Sequence, residues 1–349
     1  MAITEIIDKL RELMKIPSVV RYEQPFLDYL EDYCQKYIDY VCKQTDRLLI
    51  VKKQNSKSNK ILSVHIDRHG FILNEDGDVE YAAFAAQKYY GMSIEAEEFV
   101  FKKVASRFIG EEIYAYDPVS GEEITKGKIT GAHYDFEKKF VKFKVSDLGT
   151  VAVGTPLALV SKVLTHDDYV SSQIDNSISV AVALELIEDG FDGTVIFTTE
   201  EEIGRSWKHL ADYLQENNLM TQELIVMDTS PYKYIHSIDQ GLVVLRNRDE
   251  TGIFNKELVK KMIMICKEHN ILFEFKDEVI DYLNKKLVKQ GEEPKKYGHT
   301  ELGRLVEHTN GKLNGVTIQL PSTNYHTNEE LTSKKALENY YKLLKELLI

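Results

Sequence analysis

His65 and Asp67 lie two residues apart in S-V-H-I-D, and Asp175 stands in Q-I-D-N-S. Glu200, Glu201 and Glu202 follow an apolar run in F-T-T-E-E-E-I-G, Asp228 closes I-V-M-D, and His326 ends P-S-T-N-Y-H. Carboxylate oxygens and imidazole nitrogens are ligands that a borderline divalent ion such as zinc accepts, and no cysteine stands among them. Adjacent carboxylates repel, so three in a row at the end of a buried run call for a cation or a proton to offset the repulsion. Taken singly, each piece has a plainer reading. The glutamates read as a solvated acidic loop, Asp175 as a helix cap, Asp228 as a turn or cap residue, and His326 as a surface histidine. The H-x-D spacing adds one hint, since residues two apart on a strand point the same way and Asp67 can orient the His65 ring.

The elements that must position these residues follow from hydrophobic periodicity. Ile3, Ile6, Ile7, Leu10, Leu13 and Met14 recur at helical spacing, as do Phe26, Leu27, Leu30, Tyr33 and Tyr37, so two helices open the chain. Leu48 to Val51 and Ile61 to Ile66 are short β-prone runs. From about residue 71 to about 165 the texture changes to short β-prone runs such as Phe99-Val100-Phe101 and the alternating Val141, Phe143 and Val145, punctuated by glycines. An α/β rhythm then resumes. Helices are expected over Ile178 to Ile187, Trp207 to Leu214, Leu258 to Cys266, Val279 to Leu287 and Lys334 to Leu348, the last capped by Thr332 or Ser333. Strands are expected at Thr194 to Thr198, Leu224 to Met227, Val243 to Leu245 and Val316 to Leu320. Such alternation predicts an α/β fold with a mostly parallel sheet sandwiched by helices. The α/β domain then comprises residues 1–70 and 166–349, with residues 71–165 as an inserted small β domain. Open sheets of this kind build sites at the carboxyl ends of their strands, where nearly all the candidate ligands fall.

Composition narrows the function. Lys plus Arg is 44 and Asp plus Glu is 56, a formal charge of 44 − 56 = −12, which argues against nucleic acid or an anionic membrane as partner. No segment approaches a membrane span, and the N-terminal residues lack the basic start and unbroken apolar core of a secretory signal. Cys34, Cys42 and Cys266 are odd in number and lack metal-ligand spacing, which suits reduced thiols and a cytoplasmic location.

The order of these motifs resembles the dinuclear metallo-aminopeptidases that include glutamyl aminopeptidase, the tetrahedral aminopeptidases and the cellulase M proteins. S-V-H-I-D-R-H-G-F (63–71), Q-I-D-N-S (173–177), F-T-T-E-E-E-I-G (197–204), I-V-M-D-T-S-P (225–231) and P-S-T-N-Y-H (321–326) carry the resemblance, which spans nearly the whole chain. It implies a zinc-exopeptidase-like fold and two divalent metal ions, zinc foremost, with cobalt or manganese also compatible with the ligands. Asp175 would bridge the ions, His65 and Asp228 completing one site and Glu202 and His326 the other. Glu201 would be the general base, Glu200 a bystander that is solvated or supports its neighbours, and the inserted domain would support assembly into a homo-oligomer. The expected reaction is removal of N-terminal residues from peptides. A metal-dependent amidohydrolase that deacylates a small N-acyl compound, and a non-catalytic scaffold, are the alternatives.

Two departures stand out. Arg68 and His69 follow the H-x-D where the family usually continues with Glu, which alters the surroundings of the site. G-H-T-E-L at 298–302 replaces the usual G-G-T-D-A, so the pocket wall near Thr300 and Glu301 is expected to differ. His299 has two readings, oxyanion or substrate contact and ordinary loop histidine.

Overall fold

The computed structural model describes residues 2–83, 102, 104–135 and 140–349. The run Phe99-Val100-Phe101 lies outside the described residues. Helices α1 (Ala2–Leu13) and α2 (Gln24–Cys34) open the chain, as their spacing predicts. Strands β1 (Tyr40–Gln44), β2 (Leu48–Lys53) and β3 (Ile61–His65) follow. Next come β4 (Gly70–Leu73), β5 (Val79–Tyr81), β6 (Glu112–Tyr116), β7 (Glu123–Asp135), β8 (Phe140–Ser146) and β9 (Pro156–Leu159), which close into a barrel in the order β4-β5-β8-β7-β6-β9. Its interior holds Phe71, Phe108 and Phe143 in edge-to-face contact, with Tyr81 beside them.

The remaining strands are β10 (Leu164–Thr165), β11 (Tyr169–Ser172), β12 (Thr194–Thr198), β13 (Leu224–Pro231), β14 (Val243–Leu245), β15 (Phe273–Phe275), β16 (Gly315–Ser322) and β17 (Glu330–Ser333). They alternate with helices α3 (Ser177–Glu188), α4 (Ser206–Glu216), α5 (Lys256–Glu268), α6 (Lys276–Lys289), α7 (Glu301–His308) and α8 (Lys334–Leu348). The main sheet has the order β1-β2-β12-β3-β13-β16-β14-β15. Its four central strands, β12, β3, β13 and β16, are mutually parallel. They read as almost unbroken buried runs because helices cover both faces. One face packs α1, α2, α3, α5 and α8 around Val64, Phe197, Met227 and Ile318. The other packs α4 and α7 around Ile196, Leu224 and Val226. Helix α3 is apolar all round and buried along nearly its whole length, as a helix between a sheet and other helices must be.

Two details differ from the pattern-based reading. Asp228 sits inside β13, which continues to Pro231 instead of stopping at Met227, because Thr229, Ser230 and Pro231 keep their register with Leu320, Pro321 and Ser322. G-H-T-E-L runs into a helix that begins at Glu301: the Thr300 hydroxyl accepts the Gly303 N–H and caps α7. Ser333 caps α8 in the same way through the Ala336 N–H. Among the described residues, no helix is long and apolar enough to cross a membrane.

The register of β13 with β16 starts at Leu224 opposite Gly315. A Cβ at Gly315 would overlap the Leu224 carbonyl oxygen, which is backbone and cannot rotate away. Gly315→Ala is therefore expected to destabilise the fold by about 1–3 kcal/mol or more, since overpacking a rigid contact forces strand separation. Urea unfolding of the variant measures it, and an unchanged midpoint would contradict this account.

Candidate metal centre

The carboxyl ends of the parallel strands deliver the candidate residues to one place. His65 ends β3 and Asp228 stands in β13. Beyond β12, Glu200 turns the chain with φ 64°, and Glu201 and Glu202 occupy a short 3-10 turn closed by Gly204 at φ 69°. Both left-handed positions are needed to bring two consecutive glutamates back over the sheet end, and Glu200 adopts one at the steric cost of its Cβ. His326 follows β16 with φ 60°. Asp175 lies ahead of α3 and joins Asn176 through a cis peptide.

The side chains form two facing clusters. In one, His65 Nε2 stands 3.5 Å from Asp175 Oδ1 and 3.6 Å from Asp228 Oδ1. In the other, His326 Nε2 stands 3.7 Å from Asp175 Oδ2 and 3.8 Å from Glu202 Oε2. Asp175 thus turns one oxygen to each cluster. His69, which the strand-end reasoning does not single out, joins the second cluster with its Nε2 2.9 Å from Glu202 Oε1. Ligand atoms of His65, Asp175 and Asp228, and likewise of His69, Glu202 and His326, all lie within 4.8 Å of one another.

These spacings fit a cation better than a hydrogen-bond network. Donors about 2.0–2.2 Å from a tetrahedral zinc are roughly 3.3–3.6 Å apart, close to most of the separations found. His65 Nδ1, His69 Nε2, Asp175 Oδ1 and Glu202 Oε1 are buried and have no hydrogen-bond partner among the described residues. Buried polar atoms normally have partners, so a group of orphans aimed at common points marks a place for a cation. The donor set, imidazole plus carboxylate without thiolate, suits a divalent ion.

Neighbouring groups hold this arrangement in place. Asp67 is fully buried and accepts two backbone bonds, from the Glu201 N–H at 3.0 Å and the Glu202 N–H at 2.8 Å. Its Oδ1 is also 3.5 Å from His65 Nδ1, without hydrogen-bond geometry. Glu330 does the same on the other side: it accepts the Asp175 N–H at 2.8 Å and the His326 N–H at 2.6 Å. The Gln319 amide donates to Asp228 Oδ2 at 3.1 Å, while its oxygen accepts Arg246 Nε at 2.8 Å. No motif singled out Glu330 or Gln319, although Glu330 lies only four residues beyond His326.

The departures from the family pattern fall in different places. Arg68 is buried but points away from the clusters, donating to the Met14 sulfur and the Ile16 carbonyl and lying over the Phe26 ring. Glu301 accepts Ser63 Oγ at 2.5 Å and Thr198 Oγ1 at 3.2 Å, which ties α7 to the strand positions beneath His65. His299 is exposed. Glu200 is buried and not solvated: it pairs with Arg47 at 3.0 Å and His209 at 3.1 Å, turned toward α4 because its left-handed backbone reverses the side-chain direction.

Electrostatics agree with a site built for cations. Burial, with Asp228, Asp67 and Asp175 adding repulsion and His65 opposing, pushes the Glu201 carboxyl up to about 8. Burial and the Asp175 charge push Glu202 well above the usual range. Burial disfavours charge on His65, yet the facing carboxylates of Asp175, Asp228 and Asp67 raise it well above an ordinary histidine. Burial pushes His69 down to about 3 although Asp175 opposes, so this imidazole is neutral. Neutral imidazole is the form that ligates metal.

Comparison with known proteins places the chain among peptidases. The sequence profile of the M42 glutamyl aminopeptidase family matches residues 137–343. A search of curated protein sequences finds no match. Among solved structures, the TET1 peptidase of Pyrococcus horikoshii, described as assembling into a tetrahedron or a large octahedral shell, superposes with a TM-score of 0.69 at 18% identity, covering 99% of both chains. An aminopeptidase from the archaeon Desulfurococcus kamchatkensis gives 0.72 at 13% identity, covering 100% of this chain and 95% of that one. A TET aminopeptidase from a marine sediment thaumarchaeon gives 0.71 at 17%, covering 99% and 96%. At these identities the superpositions establish a common fold.

One buried acid outside the clusters yields a pH prediction. The Glu23 carboxyl accepts the Arg21 N–H at 2.8 Å and the Glu200 N–H at 3.2 Å, and so braces the glutamate turn. Burial and the Asp67 charge push it up to about 8 from an ordinary 4.5. Between those values the folded state keeps a proton that the unfolded state releases, so this group makes stability fall as pH rises through that window. Glu23→Gln keeps the accepting oxygen and removes the titration. Its melting temperature relative to the parent, both metal-free, is expected to rise between pH 5 and pH 8, and a constant difference would contradict the burial of this acid.

Proposed function

The chain belongs to the M42 glutamyl aminopeptidase family and is a metal-dependent aminopeptidase; from that premise we propose that it works with two divalent ions, one at each cluster, zinc being the best match to the donors. The observation that carries this reading is Asp175, whose two oxygens face two separate ligand sets. His65 and Asp228 would hold one ion with Asp175, and Glu202 and His326 the other. Bound there, the ions would lower the pKa of a water between them and polarise the peptide carbonyl.

The chain's own groups supply the rest. Glu201 stands beside the ligand Glu202, with its backbone N–H fixed by Asp67, and burial gives its carboxylate high basicity. It takes a proton from the attacking water and passes it to the leaving amine. Asp67 keeps the two glutamates on opposite duties, because it accepts both of their N–H groups and fixes the turn that splits their directions. Family membership does not favour an N-acyl amidohydrolase or a non-catalytic scaffold.

Residues 1–70 with 166–349 form the catalytic domain in this proposal, and residues 71–165 the inserted one. A homo-oligomer is the expected form, given that the similar Pyrococcus horikoshii peptidase can assemble into a tetrahedron or a large octahedral shell, and the inserted domain is the candidate contact surface. Three free cysteines support a cytoplasmic location.

Hydrolysis of a free-amine peptide alongside its N-acetylated counterpart tests the activity: cleavage of the first alone is expected, with loss on chelation and recovery with zinc, cobalt or manganese. Cleavage of the acetylated peptide alone would overturn the assignment. Glu201→Gln is expected to keep its metal content while turnover falls by about 10²–10⁴-fold, and unchanged turnover would remove Glu201 from its role. His65→Ala should lower metal occupancy, which elemental analysis measures.

A further inference from the structure

We infer that His69 is a direct metal ligand, and that it makes the two ion positions unequal: one closed by four protein side chains, the other left open for chemistry. This rests on the two-ion reading above and adds to it a ligand outside the five residues placed there.

The alternative for a buried histidine is a satisfied core residue, and the contacts of His69 argue against it. Its side chain is only 1% exposed, and its Nε2 has no hydrogen-bond partner among the described residues, although Glu202 Oε1 is 2.9 Å away. An imidazole and a carboxylate at that distance without hydrogen-bond geometry are two acceptors turned toward a third point. The ring also lies against His326, centroid to centroid 3.8 Å at 50°, so both imidazoles reach the same cluster from adjacent directions.

Everything around the ring fixes it in this orientation. Its Nδ1 is hydrogen-bonded to the Tyr81 hydroxyl and the two rings stack, centroids 5.6 Å apart and 3° from coplanar. With Nδ1–H donating to that hydroxyl, the Nε2 lone pair is left for an ion, the tautomer arrangement typical of ligating histidines. The backbone is held as well. The His69 carbonyl accepts Gln173 Nε2 at 2.9 Å, and the Gly70 carbonyl accepts the Ala82 N–H at 2.9 Å. Gly70 lacks a side chain where a Cβ would overlap Val19 and the Leu157 carbonyl, so the chain can pass close enough to bring His69 inward.

Counting donors gives the asymmetry. His69, Glu202 and His326 form one group, which Asp175 Oδ2 joins by its 3.7 Å approach to His326 Nε2, whereas His65, Asp228 and Asp175 Oδ1 form the other. Four protein ligands close a zinc site and three leave a place for water or substrate. The ion beside His69 is therefore the tighter-held one, and the position between His65 and Asp228 is the exchangeable one.

X-ray absorption at the zinc edge tests this on the wild-type protein loaded with two zinc ions. Three imidazoles shared over the two ions are expected; two imidazoles shared over two ions would overturn the inference while leaving the two-ion reading standing. Calorimetric titration of the metal-free protein should show a tight step and a weaker step. His69→Val should weaken the tight step by more than the about 10–100-fold that loss of an outer-sphere partner costs, and Tyr81→Phe should weaken it less. A His69→Val protein that binds both ions as the parent does would also overturn the inference. Wild type that takes up no more than one divalent ion would overturn the two-ion reading and this one with it.

Discussion

Two buried carboxylates outside the clusters determine where the candidate ligands stand. Asp67 gathers the N–H groups of Glu201 and Glu202, and Glu330 gathers those of Asp175 and His326. These hydrogen bonds fix together four parts of the chain, around Asp67, Asp175, Glu201 and His326. That fixing is needed because the residues brought together are mostly acidic and would otherwise separate. A site that concentrates negative charge in the absence of its cation must be held by the surrounding backbone.

The same principle explains the glutamate turn. Three consecutive carboxylates cannot share one environment, and the left-handed backbone at Glu200 sends them three ways. Glu200 pairs with Arg47 and meets the His209 ring, Glu202 faces the second cluster, and Glu201 lies between, half-buried, with its carboxyl pushed up to about 8. Glu23 braces this turn from below through the Glu200 N–H. The strain of one non-glycine residue in the left-handed region is thus surrounded by bonds that hold it.

The barrel is more than an appendage of the sheet. Its strand β5 carries Tyr81, whose hydroxyl meets His69, and its first strand β4 starts at the residue after His69. The wall of the centre nearest this junction is therefore set by how the barrel leaves and rejoins the α/β sheet. Arg68, one residue earlier, turns the opposite way and packs on Phe26 and Met14, so consecutive side chains serve the core and the site.

Much of the architecture was legible because it depends on local pattern. Apolar periodicity located α1, α2, α3 and α8, buried runs located β3, β12 and β13, and residue type marked His65, Asp175, Glu201, Glu202, Asp228 and His326 as chemically alike. What sequence alone determined was the menu: an acidic α/β chain with imidazole and carboxylate donors at strand ends. Tertiary structure alone decided that Glu200 turns away to Arg47, that α7 begins at Glu301, and that His69 enters the site. These depend on backbone direction at single residues and on contacts between segments more than a hundred residues apart, such as Glu202 with His69 and Asp175 with Glu330. No local periodicity encodes such a contact, because its energy comes from burial and charge shared across the fold and not from the neighbours in the chain.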